Sequence, residues 1–143
     1  MIFEKGKVPN AAVIRLIRDQ LIESESEMDL IVEGVQSYGM PVGREVFATV
    51  FFMGSLHVDL VNLGVTAKAI GRKKVVTAIT GSSKAKDSNV RRAILDLYPQ
   101  TGGGAEPAVG TSKSPGPLYG VAGDIWSALA IAIGAKPVSY THL

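Results

Sequence analysis

A chain of 143 residues is long enough for one domain with a real core and too short for two of ordinary size. Apolar residues make up 46% and charged residues 20%, a balance that excludes a disordered or fibrous chain, and the absence of cysteine excludes disulfides and thiolate metal sites. A formal net charge of +2 is too small to argue for a nucleic-acid partner by itself.

In chain order, residues 1–4 read as the end of a strand that turns at Lys5-Gly6-Lys7. Asn10 is placed to cap a helix over 10–23, where Val13, Leu16, Ile17 and Leu21 recur at helical spacing. Residues 28–35 form a short apolar, partly β-branched run of the kind found in a buried parallel strand, closed by Glu33. After the turn at Gly39-Met40-Pro41, an apolar helix is predicted over 42–63, ended by Gly64 and largely buried. A strand over 65–70 and a helix over 72–79, stopped by Gly81, come next.

Ser83 or Asp87 then caps a further helix whose apolar face is Val90, Ala93, Ile94 and Leu97, ended by Pro99. Residues 100–121, rich in Gly, Pro, Ser and Thr, are longer than an ordinary connector and are expected to be mobile without a ligand. An almost wholly apolar last helix, 124–135, must pack into the core or a subunit interface. Strands alternating with helices indicate an α/β domain with a mixed or parallel sheet flanked by helices. No apolar run reaches the twenty or so residues of a membrane span, and no basic-then-apolar signal opens the chain. The expected setting is cytoplasmic.

Charge is unevenly distributed. Asp19, Glu23, Glu25, Glu27, Asp29 and Glu33 follow one another without a basic residue, whereas Lys68, Arg72, Lys73, Lys74, Lys84, Lys86, Arg91 and Arg92 face Asp87 alone. Such a basic block is either a solvated face or a surface that attracts a polyanion. Glu33, closing an apolar strand, is either an exposed strand end or a carboxylate paired or bound to a metal at the place where α/β proteins put their sites. Asp124 is placed to cap the last helix or, at the same helix start, to bind a metal, with Ser127 one turn on. Oxygen ligands of this kind suit magnesium and phosphodiester hydrolysis. His57 within an apolar helix and His142 in the tail do not make a zinc site. The stretch from Thr101 to Lys113 lacks the Gly and Lys-Ser/Thr spacing of a phosphate-binding loop, and it neither follows a strand nor directly opens a helix.

Three segments taken together resemble the RuvC-like Holliday-junction resolvases of phages and bacteria. They are Asp29-Leu30-Ile31-Val32-Glu33-Gly34-Val35-Gln36-Ser37-Tyr38-Gly39 with Met40-Pro41-Val42-Gly43-Arg44-Glu45-Val46-Phe47, the basic helix start Lys84-Ala85-Lys86-Asp87-Ser88-Asn89-Val90-Arg91-Arg92-Ala93, and Gly116-Pro117-Leu118-Tyr119-Gly120 followed by Gly123-Asp124-Ile125-Trp126-Ser127-Ala128-Leu129-Ala130. The likeness spans roughly residues 1–135. It implies a ribonuclease H-like fold and a Mg2+-dependent endonuclease, with Mn2+ as a substitute metal, that resolves four-way DNA junctions as a homodimer.

The resemblance assigns Glu33 and Asp124 as catalytic carboxylates and metal ligands. Ser127 stands where many relatives have a further acid and would hold a metal-bound water. Arg72, Lys84, Lys86, Arg91 and Arg92 are the implied DNA-phosphate contacts. The family's first strand, with its Asp and Gly, and the hairpin after it are missing from this chain. The resemblance therefore makes residues 1–137 a nuclease domain incomplete at its start, and residues 138–143 look like a non-native tail. Two other readings stand beside it: a catalytically inactive DNA-binding fragment of such a resolvase, and an unrelated α/β small-molecule enzyme using the glycine-rich loop.

Overall fold

Leucine and valine at helical spacing require a neighbour to cover them, and the chain meets that need in two compact units, Met1–Ala69 and Ile70–Leu143. The computed structural model describes residues 8–24, 28–35, 39 and 41–136. The strand end expected over 1–4 and the tail over 138–143 lie outside the described residues.

In the first unit, α1 runs Asn10–Glu23, β1 Leu30–Glu33 and α2 Arg44–Asn62, and β2 follows at Ala67–Ile70. The two strands pair in parallel, so β1–α2–β2 is a crossover connection in which a helix carries the chain back to start the second strand. Asn10 is the first helical residue rather than the cap. Pro9, at φ −60° and ψ 140°, precedes it, and no side chain caps the helix. Arg18 of α1 lies 3.9 Å from Asp59 of α2, where the two helices pack.

The expected burial of α2 is not what the structure shows. Leu56 and Leu60, one turn apart, are its buried residues, whereas Phe47, Val50, Phe51, Val58 and Val61 are exposed. The reason is geometric: α2 is apolar around most of its circumference, and a single packed stripe covers only the side that faces it. Gly54 sits in the interior of this helix with open space where a Cβ would project.

The second unit comprises α3 (Arg72–Thr80), α4 (Asp87–Leu97) and α5 (Asp124–Gly134), with the long segment 100–121 between the last two. Val75 and Val76 of α3, Val90, Ile94 and Leu95 of α4, and Ala130 of α5 share one core with Ala108 and Leu118 of the long segment. Full burial of each of the larger aliphatic side chains contributes about 1.5–3 kcal/mol. On α4 the buried position is Leu95 and not Leu97, which is 63% exposed, because Leu95 is on the side that joins the core with Ala108 and Leu118. Lys86 rather than Ser83 or Asp87 stands at the α4 cap position. The last helix is less buried than its composition predicts: Ala130 is enclosed, Trp126, Leu129, Ile131 and Ile133 are half-buried against the core, and Ile125 is exposed.

The segment expected to be mobile is instead tied together by backbone hydrogen bonds. The amide of Gly102 donates to the Pro107 carbonyl at 2.8 Å, Gly103 to Ser114 at 2.8 Å, Gly116 to Val109 at 2.9 Å and Leu118 to Ala108 at 2.8 Å. Gly110 and Pro115 form an antiparallel bridge. These crossings bring main chains into contact: a Cβ at Gly116 would lie 2.3 Å from the Pro107 carbonyl oxygen, and one at Gly110, where φ is +77°, 2.3 Å from the Gly116 amide nitrogen. Glycine is required here because no side chain fits between the strands of chain.

Gly116→Ala should therefore destabilise the second unit by about 1–3 kcal/mol, whereas Gly54→Ala in α2 should stabilise the first by about 0.5–1 kcal/mol. Urea unfolding followed by circular dichroism reads both, with opposite signs expected.

Candidate functional site

Apart from Lys68 on β2, the basic block of the sequence lies on α3, on α4 and on the turn between them, within the second unit. The chain reverses at Gly81, where the left-handed glycine ends α3. The Ser82 hydroxyl then accepts the Lys84 amide at 3.3 Å and shapes the turn that carries Lys84 and Lys86 to the start of α4. An open groove of about 550 Å3 runs between these elements. It is lined by Thr80, Ser82, Lys84, Asn89, Arg92 and Asp96, over an apolar floor of Ile79, Ala85 and Ala93. Two of the expected DNA contacts, Lys84 and Arg92, thus share one concavity. Hydroxyl and amide groups line it beside them.

The five basic candidates differ in what already holds them. Lys84 and Lys86 are exposed and make no ion pair among the described residues. Arg92 is paired only with Asp96 at 3.6 Å, an exposed contact one helical turn away whose strength is a few tenths of a kcal/mol, about 0.3–0.5. Arg72 is bonded to Asp87. Arg91 is the most engaged: its two terminal nitrogens donate to the two carboxylate oxygens of Glu106 at 2.7 Å each, and its guanidinium carbon lies 4.8 Å from the centre of the Trp126 ring. A phosphate reaching Arg72 or Arg91 must displace a carboxylate; one reaching Lys84 or Lys86 displaces only water.

The Arg91 cluster ties α4, the glycine-rich segment and α5 together. Neither Glu106 nor Trp126 stands out as a site residue in the sequence, yet two signals mark them: Glu106 is the one acid between Asp96 and Asp124, and Trp126 is the chain's single tryptophan. Hydrogen bonding to Arg91 holds the Glu106 carboxyl below its ordinary range, and the same bond raises Arg91.

The carboxylate candidates are placed one in each unit. Glu33 is the last residue of β1 and is exposed, while the three residues before it are half-buried. Asp124 is the first residue of α5, behind Gly123 at the cap position, and makes no side-chain capping bond. It is therefore not the N-cap. Its carboxylate still stands at the positive end of the helix dipole. Ser127, one turn on, is exposed. Among the described residues no group of three or more His, Asp or Glu gathers to hold a metal. Glu33 offers a carboxylate in the first unit, and Asp124 and Ser127 a carboxylate and a hydroxyl in the second; all are oxygen donors, the ligand chemistry that suits Mg2+.

Compared with known proteins, the chain matches no family model and no curated protein. Among the described residues no helix is long and apolar enough to cross a membrane.

The lowered Glu106 sets a pH window. A carboxyl depressed in the folded state contributes stability above its unfolded range, near pH 4.3, and that contribution is lost as pH falls through the folded value. Trp126 emission should accordingly change on acidification below the ordinary glutamate range. Glu106→Gln should abolish that acid transition and leave the neutral-pH spectrum close to that of the variant at low pH.

Proposed function

We propose that this chain is a RuvC-like, structure-selective DNA endonuclease of ribonuclease H-like fold. In this reading it acts in the cytoplasm on four-way junctions as a homodimer. The observation that carries the DNA-binding part is the groove shared by Lys84 and Arg92, with Lys86 at the adjacent helix start. Cations on a turn and a helix start, beside hydroxyl and amide donors, match the contacts by which proteins hold phosphates, which position nucleic acid without reading its sequence.

The nuclease part rests on the segments that resemble the resolvases and on the position of Glu33 at the carboxyl end of a parallel strand. In this reading Glu33 and Asp124 would be metal ligands, and Ser127 would hold a metal-bound water. The chemistry that a bound divalent ion supplies in such enzymes is activation of water and stabilisation of the leaving oxygen of a phosphodiester. Lys84, Lys86 and Arg92 bind and orient the backbone, and Arg72 and Arg91 add contacts where the phosphate displaces their carboxylate partners.

A second reading is DNA binding without cleavage. The groove favours it in one respect: it lies wholly within the second unit and uses neither Glu33 nor Asp124. One preparation separates the two. Nicking of a labelled junction in Mg2+ or Mn2+, abolished by Glu33→Gln while gel-shift affinity persists, supports the endonuclease; binding with no nicking in either metal supports the second reading. The double variant Lys84→Ala/Arg92→Ala should weaken junction binding and reduce the slope of log affinity against log salt by about 2. An unchanged slope would remove the groove from the proposal.

A further inference from the structure

Segment 101–118 is held far more tightly than a connector needs. Its main chain crosses itself at Gly102, Gly110 and Gly116, where an added Cβ would lie within 2.3–2.6 Å of backbone atoms. Ala108 and Leu118 anchor it in the core of the second unit, and the double Arg91–Glu106 bond fastens it to α4. From this base a tight turn projects at residues 111–114. Thr111 and Ser114 exchange both backbone hydrogen bonds, at 3.0 and 3.1 Å, and the Thr111 hydroxyl accepts the Ser114 amide at 3.2 Å.

The turn is also pinned sideways. A Cβ built at Gly103 would meet the Ser114 Cβ at 3.2 Å, and the Gly103 amide bonds the Ser114 carbonyl. At its tip are Ser112 and Lys113, both exposed. Lys113 is the only charged residue between Glu106 and Asp124, and Glu106 is itself neutralised by Arg91. Lys113 makes no ion pair among the described residues. The segment thus presents one uncompensated positive charge, flanked by hydroxyls, on a backbone tied by hydrogen bonds and close main-chain crossings.

We propose that the glycine-rich segment is a rigid arm that sets Lys113 against a phosphate of bound DNA, a contact separate from the Lys84–Arg92 groove. This rests on the reading of the second unit as a DNA-binding surface. Rigidity is what gives the lysine its value. A cation on a mobile loop must be ordered when DNA binds, whereas one on a preformed turn loses only its own side-chain freedom.

The test measures binding of a fluorescent four-way DNA junction across a salt series for Lys113→Ala, Lys113→Gln, Lys84→Ala and Arg15→Ala, with Trp126 emission confirming that each variant is folded. Both Lys113 variants should weaken binding several-fold at low salt and lower the salt slope by about 0.9, the value of one phosphate contact. Arg15→Ala, on α1 of the other unit, should leave the slope unchanged.

Glu106→Gln supplies a second readout. Because Glu106→Gln also frees Arg91 for phosphate, the readout is the cost of Lys113→Ala in each background: with the arm loosened by Glu106→Gln, that cost should be smaller than in the parent. A slope unchanged in the Lys113 variants but lowered in Lys84→Ala overturns the arm and leaves the DNA reading standing. A slope unchanged in all of them removes the DNA reading itself, and an equal cost of Lys113→Ala in the Glu106→Gln background and in the parent overturns the role of rigidity.

Discussion

The second unit depends on main chain touching main chain. At Gly116 and Gly110 two stretches of backbone approach to a distance that leaves no room for a methyl group, and the hydrogen bonds on either side fix their register. Because those crossings hold, Ala108 and Leu118 can complete a core that three short helices would otherwise leave open on one side. Once the segment is seated, Glu106 meets Arg91, and Arg91 can lie over Trp126. Packing, ion pairing and the start of α5 are consequences of a few close approaches.

That arrangement sorts the basic residues by availability. Guanidinium groups on this surface are drawn into bidentate or single pairs with nearby carboxylates, since their fork geometry matches a carboxylate better than an ammonium does. The lysines on the α3–α4 turn and on the glycine-rich arm have no such partner among the described residues. In the proposed DNA-binding reading, phosphate contact in this unit falls first to ammonium groups and to Arg92, whose own pair with Asp96 is weak and exposed. In that reading the surface would hold phosphate in a salt-dependent manner and carry little sequence information. Such a surface suits a ligand selected by shape.

The first unit has a different logic. A parallel strand pair needs a crossover, and α2 supplies it, so the carboxyl end of β1 with Glu33 is formed by local connectivity rather than by long-range packing. The ion pair between Lys68 of β2 and Asp29 just before β1, at 3.0 Å, joins the two strands at their margin. Aromatic and branched side chains left exposed on α2 follow from its composition: a helix apolar on nearly every side cannot be covered by one packed stripe.

Much of the element order was legible without coordinates. Helical periodicity placed α1 at its observed bounds and found α4 with its start left between Ser83 and Asp87, and glycine or proline punctuation located the ends of α2, α3 and α4, because these signals act within a turn or two of chain. The strand ending in Glu33 and the clustering of cations around α3 and α4 were equally local. What tertiary structure decided was which face each helix buries, Leu95 in place of Leu97 and only one stripe of α2, together with the state of the glycine-rich segment. Its composition is the same for a mobile loop and for an interlocked one. Only the contacts that close the segment on itself and on α4, Gly102 with Pro107, Gly103 with Ser114 and Arg91 with Glu106, distinguish the two, and such contacts leave no periodic trace in a sequence.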